Sequence, residues 1–274
     1  MQTKAKNTLT VLTECSIMIA LATVLSIIKL FELPYGGSIT VASMLPLVIV
    51  SYRHGTAVGL GAALAASALQ LLLGLNNLSY FTTWYSILAI ILLDYIVAFT
   101  VFGLCGIFKK AVKRQSTSML IGALLASVLR YICHVISGAT VWAGLSIPTG
   151  AALLYSFGYN ATYMIPETIV LLLAVFYLGS SLDLTKKIPT PKVREKLNTG
   201  ATVLVVLAGL SALIGLAVDT VLVFSKLQNP ESGEFMITGL SDVNWVVLLT
   251  VTAASFAIAV ILGYIAKKIT KSEN

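Results

Sequence analysis

Seven apolar stretches, near residues 9–31, 55–75, 86–108, 117–143, 151–182, 200–225 and 244–268, are each long enough to cross a hydrocarbon core of roughly 30 Å as a helix. No soluble fold of this length has an interior for all of them, so most of their surface must face lipid. Composition agrees: 58% of the 274 residues are hydrophobic and 11% charged, against roughly 25% charged in ordinary soluble domains. The expected fold is an all-α membrane protein. A net charge of +7 would raise nucleic-acid binding in a soluble protein, but here the positions of the charges carry the information, and no nucleic-acid partner is expected.

A shorter run, 38–52, contains Pro46 and reads as a tilted or broken eighth span. With eight spans, 15 of the 18 basic residues fall on one side: Lys4, Lys6, Arg53, the 109–114 cluster, the 186–196 group and Lys267, Lys268 and Lys271. The other side keeps Lys29 and Lys226 beside Glu32, Glu231, Glu234 and Asp242, while Arg130 lies within a span. The positive-inside rule then puts both termini in the cytoplasm, whereas seven spans would scatter the charges. Lys4 and Lys6 precede the first run, yet no small-residue cleavage site interrupts it, and it reads as a retained helix.

The stretch DLTKKIPTPKVREKLNT, 183–199, joins charges with two prolines and reads as a cytoplasmic linker. It divides a six-helix membrane domain, 1–182, from a two-helix extension, 200–274, whose only intramembrane acid is Asp219. No repeat of fixed period links the halves, which weakens an inverted-repeat carrier.

Enzymatic signatures are missing. There is no GxxxxGK[ST], HExxH or GxSxG, and the chain has two histidines. His54, beside Arg53, reads as a solvated turn residue. Cys15, Cys105 and Cys133 lie in apolar runs without metal-ligand spacing, so neither a metal nor a cofactor is expected. Any ATP dependence must come from separate subunits.

Polar side chains within spans are costly and mark candidate sites. Asp94 and Tyr95 interrupt 86–108. Arg130 and His134 stand four apart, with Tyr131 and His134 three apart, and Trp142 ends that helix. Tyr155, Asn160, Tyr163 and Glu167 follow on the next, where Pro166 should kink the helix. Each has a plainer reading. Asp94 would pair structurally with Arg130, His134 would form an interhelical hydrogen bond, and Trp142 would sit in the interfacial belt. Asn160 would be interhelical glue and Glu167 a partner at the kink. A buried carboxylate among tryptophan and tyrosine suits an aromatic organic cation, which gains charge attraction and cation–π energy of about 0.5–2 kcal/mol.

At these residues the chain resembles the thiamine-specific substrate-binding (S) components of energy-coupling factor (ECF) importers, over about residues 8–182. The resemblance rests on blocks in order: LTECSIMIALA, ELPYGGSITVASMLPL, YRHGTAVGL, LLDYIVAFTVFGLCGIF, LRYICHVISGATVW and YSFGYNATYMIPE. It implies a thiamine pocket near the outer face lined by Asp94, His134, Trp142, Tyr155 and Asn160, with Tyr95 aligned similarly. Trp84 falls where the family places an aromatic, although Tyr85 could serve instead. Asp94 replaces a Glu of some members. Gly37 and Val41 stand where some members carry a lid Trp and Glu.

The resemblance further implies a transmembrane coupling protein and two ATPases as partners in a bacterial plasma membrane. It implies docking of the first helix through small residues such as Ser16 and Ala20, and toppling of the whole subunit to deliver ligand. The two-helix tail departs from this pattern. Alternatives are an S component for a pyrimidine or thiazole precursor, and a self-sufficient proton-coupled carrier using Asp94 and Glu167.

Overall fold

The structure, a computed structural model, describes residues 2–33, 36–143, 152–192, 199–227 and 237–272. The chain divides into two compact units, Met1–Lys192 and Val193–Asn274.

In the first unit, α1 (Gln2–Ile27) leads into a short antiparallel hairpin of β1 (Lys29–Glu32) and β2 (Ser38–Thr40). Then follow α2 (Leu45–His54), α3 (Thr56–Leu73), the long helix α4 (Trp84–Lys109), α5 (Gln115–Thr140) and α6 (Ala152–Ser181). The second unit contains α7 (Thr199–Leu227) and α8 (Trp245–Ser272). Among the described residues, seven helices are long and apolar enough to cross a membrane: all of these except α2.

The run 38–52, expected as a tilted or broken span, is broken: it starts beside Lys29 at the end of α1 and finishes next to Arg53, which lies beside Glu14, nearer the start of α1. Its first residues pair as β2, and Ala42 takes a left-handed turn at φ 51°. Only Leu45–His54 is helical, with Pro46 in the first turn, where a missing N–H costs nothing. Ten residues rise about 15 Å, half a hydrocarbon core. Pro46 to Tyr52 are all buried, so α2 is a plug inside the bundle and not a lipid-facing helix.

Helices in a membrane gain little from burying apolar surface against one another, so close approach and hydrogen bonds must hold them. A Cβ on Gly103 of α4 would sit 2.4 Å from the Leu60 backbone of α3, and one on Gly122 of α5 would strike the Cys105 carbonyl. Ser51 of α2 donates to the Gly103 carbonyl (2.6 Å) and accepts from the Gly106 N–H (2.8 Å).

One end of this unit collects basic residues around Arg53. Its guanidinium binds both carboxylate oxygens of Glu14 on α1 and donates to the carbonyls of Leu184 (2.8 Å), Lys186 (3.1 Å) and Lys187 (3.1 Å). The Lys109 ammonium reaches the Arg53 carbonyl and lies over the Tyr52 ring. His54 is not the solvated turn residue expected: its ring Nε2 sits 3.0 Å from Glu14, largely shielded.

After α6 the chain makes a small hairpin, β3 (Leu182–Asp183) with β4 (Thr190–Pro191), tied down by Gln115, which donates to Gly179 and Leu182 carbonyls. The beginning of the expected linker is thus ordered structure on the first unit. The rest, 193–198, lies outside the described residues, as do Glu231 and Glu234. In the second unit α7 and α8 pack as a hairpin. Asp219 accepts from Thr252 (2.6 Å), Ser211 donates to the Ser255 carbonyl (3.1 Å), and a Cβ on Gly215 would meet Ser255.

Candidate substrate-binding site

Helix α4 is not regular throughout. Ile91–Val97 forms a π-helical stretch, which widens the turn by one residue and recurs at functional sites. Asp94 and Tyr95 lie at its centre, projecting from a backbone that a plain α-helix would not supply. Adjacent side chains on a helix do not face each other, and these two part company.

Asp94 turns toward the end of α5. Its Oδ1 lies 2.9 Å from His134 Nδ1, and its Oδ2 accepts from Ser137 Oγ (2.7 Å) and from the Trp142 indole N–H (3.0 Å). His134 and Ser137, three apart on α5, share a face. The chain turns immediately afterward, with the N–H groups of Val141 and Trp142 both donating to the Ser137 carbonyl, and that turn brings the indole back to the carboxylate. Trp142 packs edge-on against Phe81 (centroids 4.8 Å, 83°) and near Tyr80 (6.0 Å).

Behind this cluster lies a buried ion pair. Arg130, one turn before His134 on α5, donates to Glu167 of α6 (3.0 Å). Its Nε–H donates to His134 Nε2 (3.4 Å), and the guanidinium stacks over Phe99 (4.6 Å). Glu167 also accepts from Thr40 of β2 (2.9 Å). The structural partner of Arg130 is therefore Glu167 and not Asp94. A small cleft opens on this side, bordered by Ser43, Ser127, Arg130, Met164 and Glu167.

Residues 12–187 match the thiamine transporter protein family (Thia_YuaJ). The chain belongs to that family. It is 37% identical over 171 residues to the thiamine transporter ThiT of Bacillus subtilis (strain 168), covering 58% of this chain and 84% of the relative. A solved structure of ThiT from Listeria monocytogenes superposes with a TM-score of 0.52 at 25% identity, covering 63% of this chain and 94% of that one. As a thiamine transporter family member, the chain is a multi-pass protein of the cell membrane serving thiamine transport. The family match ends before α7 begins.

Set against the family expectation, the candidate residues separate into groups. Asp94, His134 and Trp142 meet in one hydrogen-bonded cluster. Tyr95, 9% exposed, points the other way: its hydroxyl donates to the Gly74 carbonyl (3.1 Å) and accepts from Asn77 (3.0 Å). It clamps the end of α3, where a Cβ on Gly74 would collide with the phenol.

Asn160 joins α5 to α6. Its amide donates to the carbonyls of His134 (3.3 Å) and Ser156 (2.9 Å), and its oxygen accepts from Tyr163 (2.7 Å). Tyr155 is buried on the same helix. Trp84 is 75% exposed and edge-on to Tyr85, itself exposed. It begins α4 ten residues before Asp94, roughly 15 Å along the axis, and the structure does not bring it to the cluster.

The aromatics that do pack there, Tyr80 and Phe81, were not singled out in the sequence. They sit at the end of the 3₁₀ turn Leu75–Tyr80, and the only sequence signal was the aromatic density of YFTTWY. Ser137 was missed too, being one small residue among many on α5.

The loop above the site is described from Gly36 onward. The Gly37 N–H donates to the Tyr159 hydroxyl (3.3 Å), and Tyr159 packs on Tyr163 (5.8 Å). A Cβ on Gly37 would lie 2.8 Å from the Tyr163 ring, so the tyrosines of α6 occupy the space that a side chain at 37 would need. Val41 is half-exposed. The two docking candidates, Ser16 and Ala20, both lie on the exposed side of α1, with the Ser16 hydroxyl satisfied by the Leu12 carbonyl (2.9 Å).

Proposed function

We propose that this protein is the thiamine-binding subunit of an ATP-driven ECF-type importer, capturing thiamine at the outer face beside Asp94. The observation that carries the reading is the Asp94 cluster. A carboxylate has about four acceptor positions, and three are filled by His134, Ser137 and Trp142. One remains for a ligand donor, and the carboxylate supplies the negative charge that an aromatic cation requires. Trp142, Tyr80 and Phe81 offer ring faces and edges alongside it. Arg130 and Glu167 offset each other, so the cluster's formal charge is that of Asp94.

The remaining elements of the proposal follow the resemblance. The basic end around Arg53 and Lys109 faces the cytoplasm under the positive-inside rule, with eight membrane-embedded helices and both termini on that side. The helical domain to residue 182 binds ligand and the two-helix extension is an addition. Ser16 and Ala20 meet a transmembrane coupling protein, two ATPases supply energy, and toppling delivers the ligand. Tyr155, Asn160 and Tyr95 shape the pocket wall. Trp84, at the mouth, meets ligand only if the loop before α4 rearranges.

The reading is tested by calorimetry on the purified chain with thiamine and no ATP. Stoichiometric binding is the expected outcome, and its absence would remove the proposal. Competition by the separate pyrimidine and thiazole moieties identifies the ligand. Uptake by vesicles holding this chain alone under a pH gradient would instead establish a proton-coupled carrier. The pairing of Glu167 with Arg130 weighs against that, since a relay carboxylate must release its partner at each cycle.

A further inference from the structure

Resting on the Asp94 site proposed above, we infer that Arg130 and Glu167 are positioning residues that fix His134 as the Nδ1–H tautomer and thereby set the acceptor geometry of Asp94. Neither residue touches Asp94 itself. Their effect passes through the imidazole.

An arginine side chain has only N–H donors and no acceptor. Because Arg130 Nε–H is directed at His134 Nε2, that nitrogen must present its lone pair, and the ring proton belongs on Nδ1. Nδ1–H then donates to Asp94 Oδ1. The opposite tautomer would oppose two donors at Nε2 and two acceptors at Nδ1. Tautomers are set by the partner of the other ring nitrogen, and here that partner is Arg130.

Glu167 is what keeps Arg130 in place. A guanidinium this deep requires a countercharge, and both side chains are about nine-tenths buried. The Glu167 carboxylate accepts from Arg130 on Oε2 and from Thr40 on Oε1, and the Phe99 ring supports the guanidinium from one side. Without Glu167, Arg130 would have the Asp94 carboxylate on the far side of the imidazole as a countercharge, and a guanidinium moved there would cancel the charge that draws the ligand. The pair therefore has two tasks: it fixes the imidazole, and it keeps a cation away from the site.

The chain has two histidines, which makes the tautomer directly measurable. Nitrogen-15 histidine labelling in detergent, with His54→Gln to assign the signals, reads the two-bond correlation pattern of His134. The expected pattern is that of Nδ1–H with a bare Nε2; an Nε2–H pattern or a cationic ring in the unliganded protein overturns the inference. The variant Arg130→Met with Glu167→Gln removes the donor and leaves no carboxylate unpaired. It should give mixed tautomers and weaken thiamine binding about tenfold, the scale of one charge-assisted hydrogen bond. An unchanged tautomer and affinity in that variant also overturns it. Should the variant fail to fold, the wild-type pattern decides alone. If wild type binds no thiamine, the functional proposal falls, while the tautomer still reports on whether Arg130 acts on His134.

Discussion

Replacing Asp94 by asparagine is the sharpest test of the site, because shape is kept and only charge and lone pairs change. Three donors converge on the carboxylate, two of them on Oδ2. An amide must face Ser137 and Trp142 with its oxygen, which turns its NH₂ toward His134 Nδ1. That nitrogen could accept only if the ring proton moved to Nε2, where Arg130 already donates. The variant thus loses the ligand's counter-charge and gains a donor conflict.

A unit charge at about 4 Å in an effective dielectric near 20 is worth about 4 kcal/mol, part of which is returned because the unliganded site no longer has a charge to desolvate. A net loss of about 2–4 kcal/mol corresponds to a dissociation constant raised roughly 30- to 1000-fold. Trp142 stands against the substituted group, so quenching of its fluorescence reads occupancy, with calorimetry as a check independent of the fluorophore. Ser137→Ala gives the scale for one neutral donor, about 1 kcal/mol or fivefold. If Asp94→Asn binds thiamine within threefold of wild type, electrostatic capture at Asp94 is refuted.

Gly74→Ala should destabilise the first unit by about 1–3 kcal/mol, because its Cβ would strike the Tyr95 phenol; a detergent-solubilised melting temperature that does not fall would contradict this. Arg53→Ala should lower the melting temperature further, since it leaves Glu14 facing only His54 and frees three carbonyls, a loss of about 3–5 kcal/mol, yet thiamine affinity at the opposite end should hold within twofold. Gly37→Ala should weaken binding by pushing the loop off Tyr159 and Tyr163, seen as a faster ligand off-rate in stopped-flow fluorescence. A chain ending at Lys192 contains every residue of the candidate site and should bind thiamine with unchanged affinity; loss of binding would show that α7 and α8 contribute to it.

The membrane helices were legible because length and hydropathy are local properties, and each long run reappears as a helix within a few residues. The short run 38–52 was legible as a broken element from Pro46 and its length, but its burial was not, because the same apolar residues serve lipid and core alike. What separates them is that β2 and the turn at Ala42 take the first residues, leaving a ten-residue helix buried among its neighbours. The plainer reading of Asp94, a structural pair with Arg130, is not what the side chains form, for a related reason. Spacing places Arg130 and His134 on one face, but only packing decides that the guanidinium reaches across to α6 and the imidazole toward α4.

Trp84 shows the limit of reasoning by residue type. The indole and the aspartate lie on one helix, and a regular helix would carry both to the same neighbourhood only at matched spacing. The π-helical stretch at Ile91–Val97 rotates everything before it relative to everything after, and no residue in ILLDYIV announces such a stretch by composition. The structure then fills the space beside Trp142 with Tyr80 and Phe81 from the preceding turn. The same local widening that sends Asp94 toward α5 lets Tyr95 clamp Gly74 and Asn77 on the opposite side. The ligand capture proposed at Asp94 is therefore tied to the end of α3 through one irregular turn, and substitutions at Gly74 should be felt at the site even though no atom of that residue touches it.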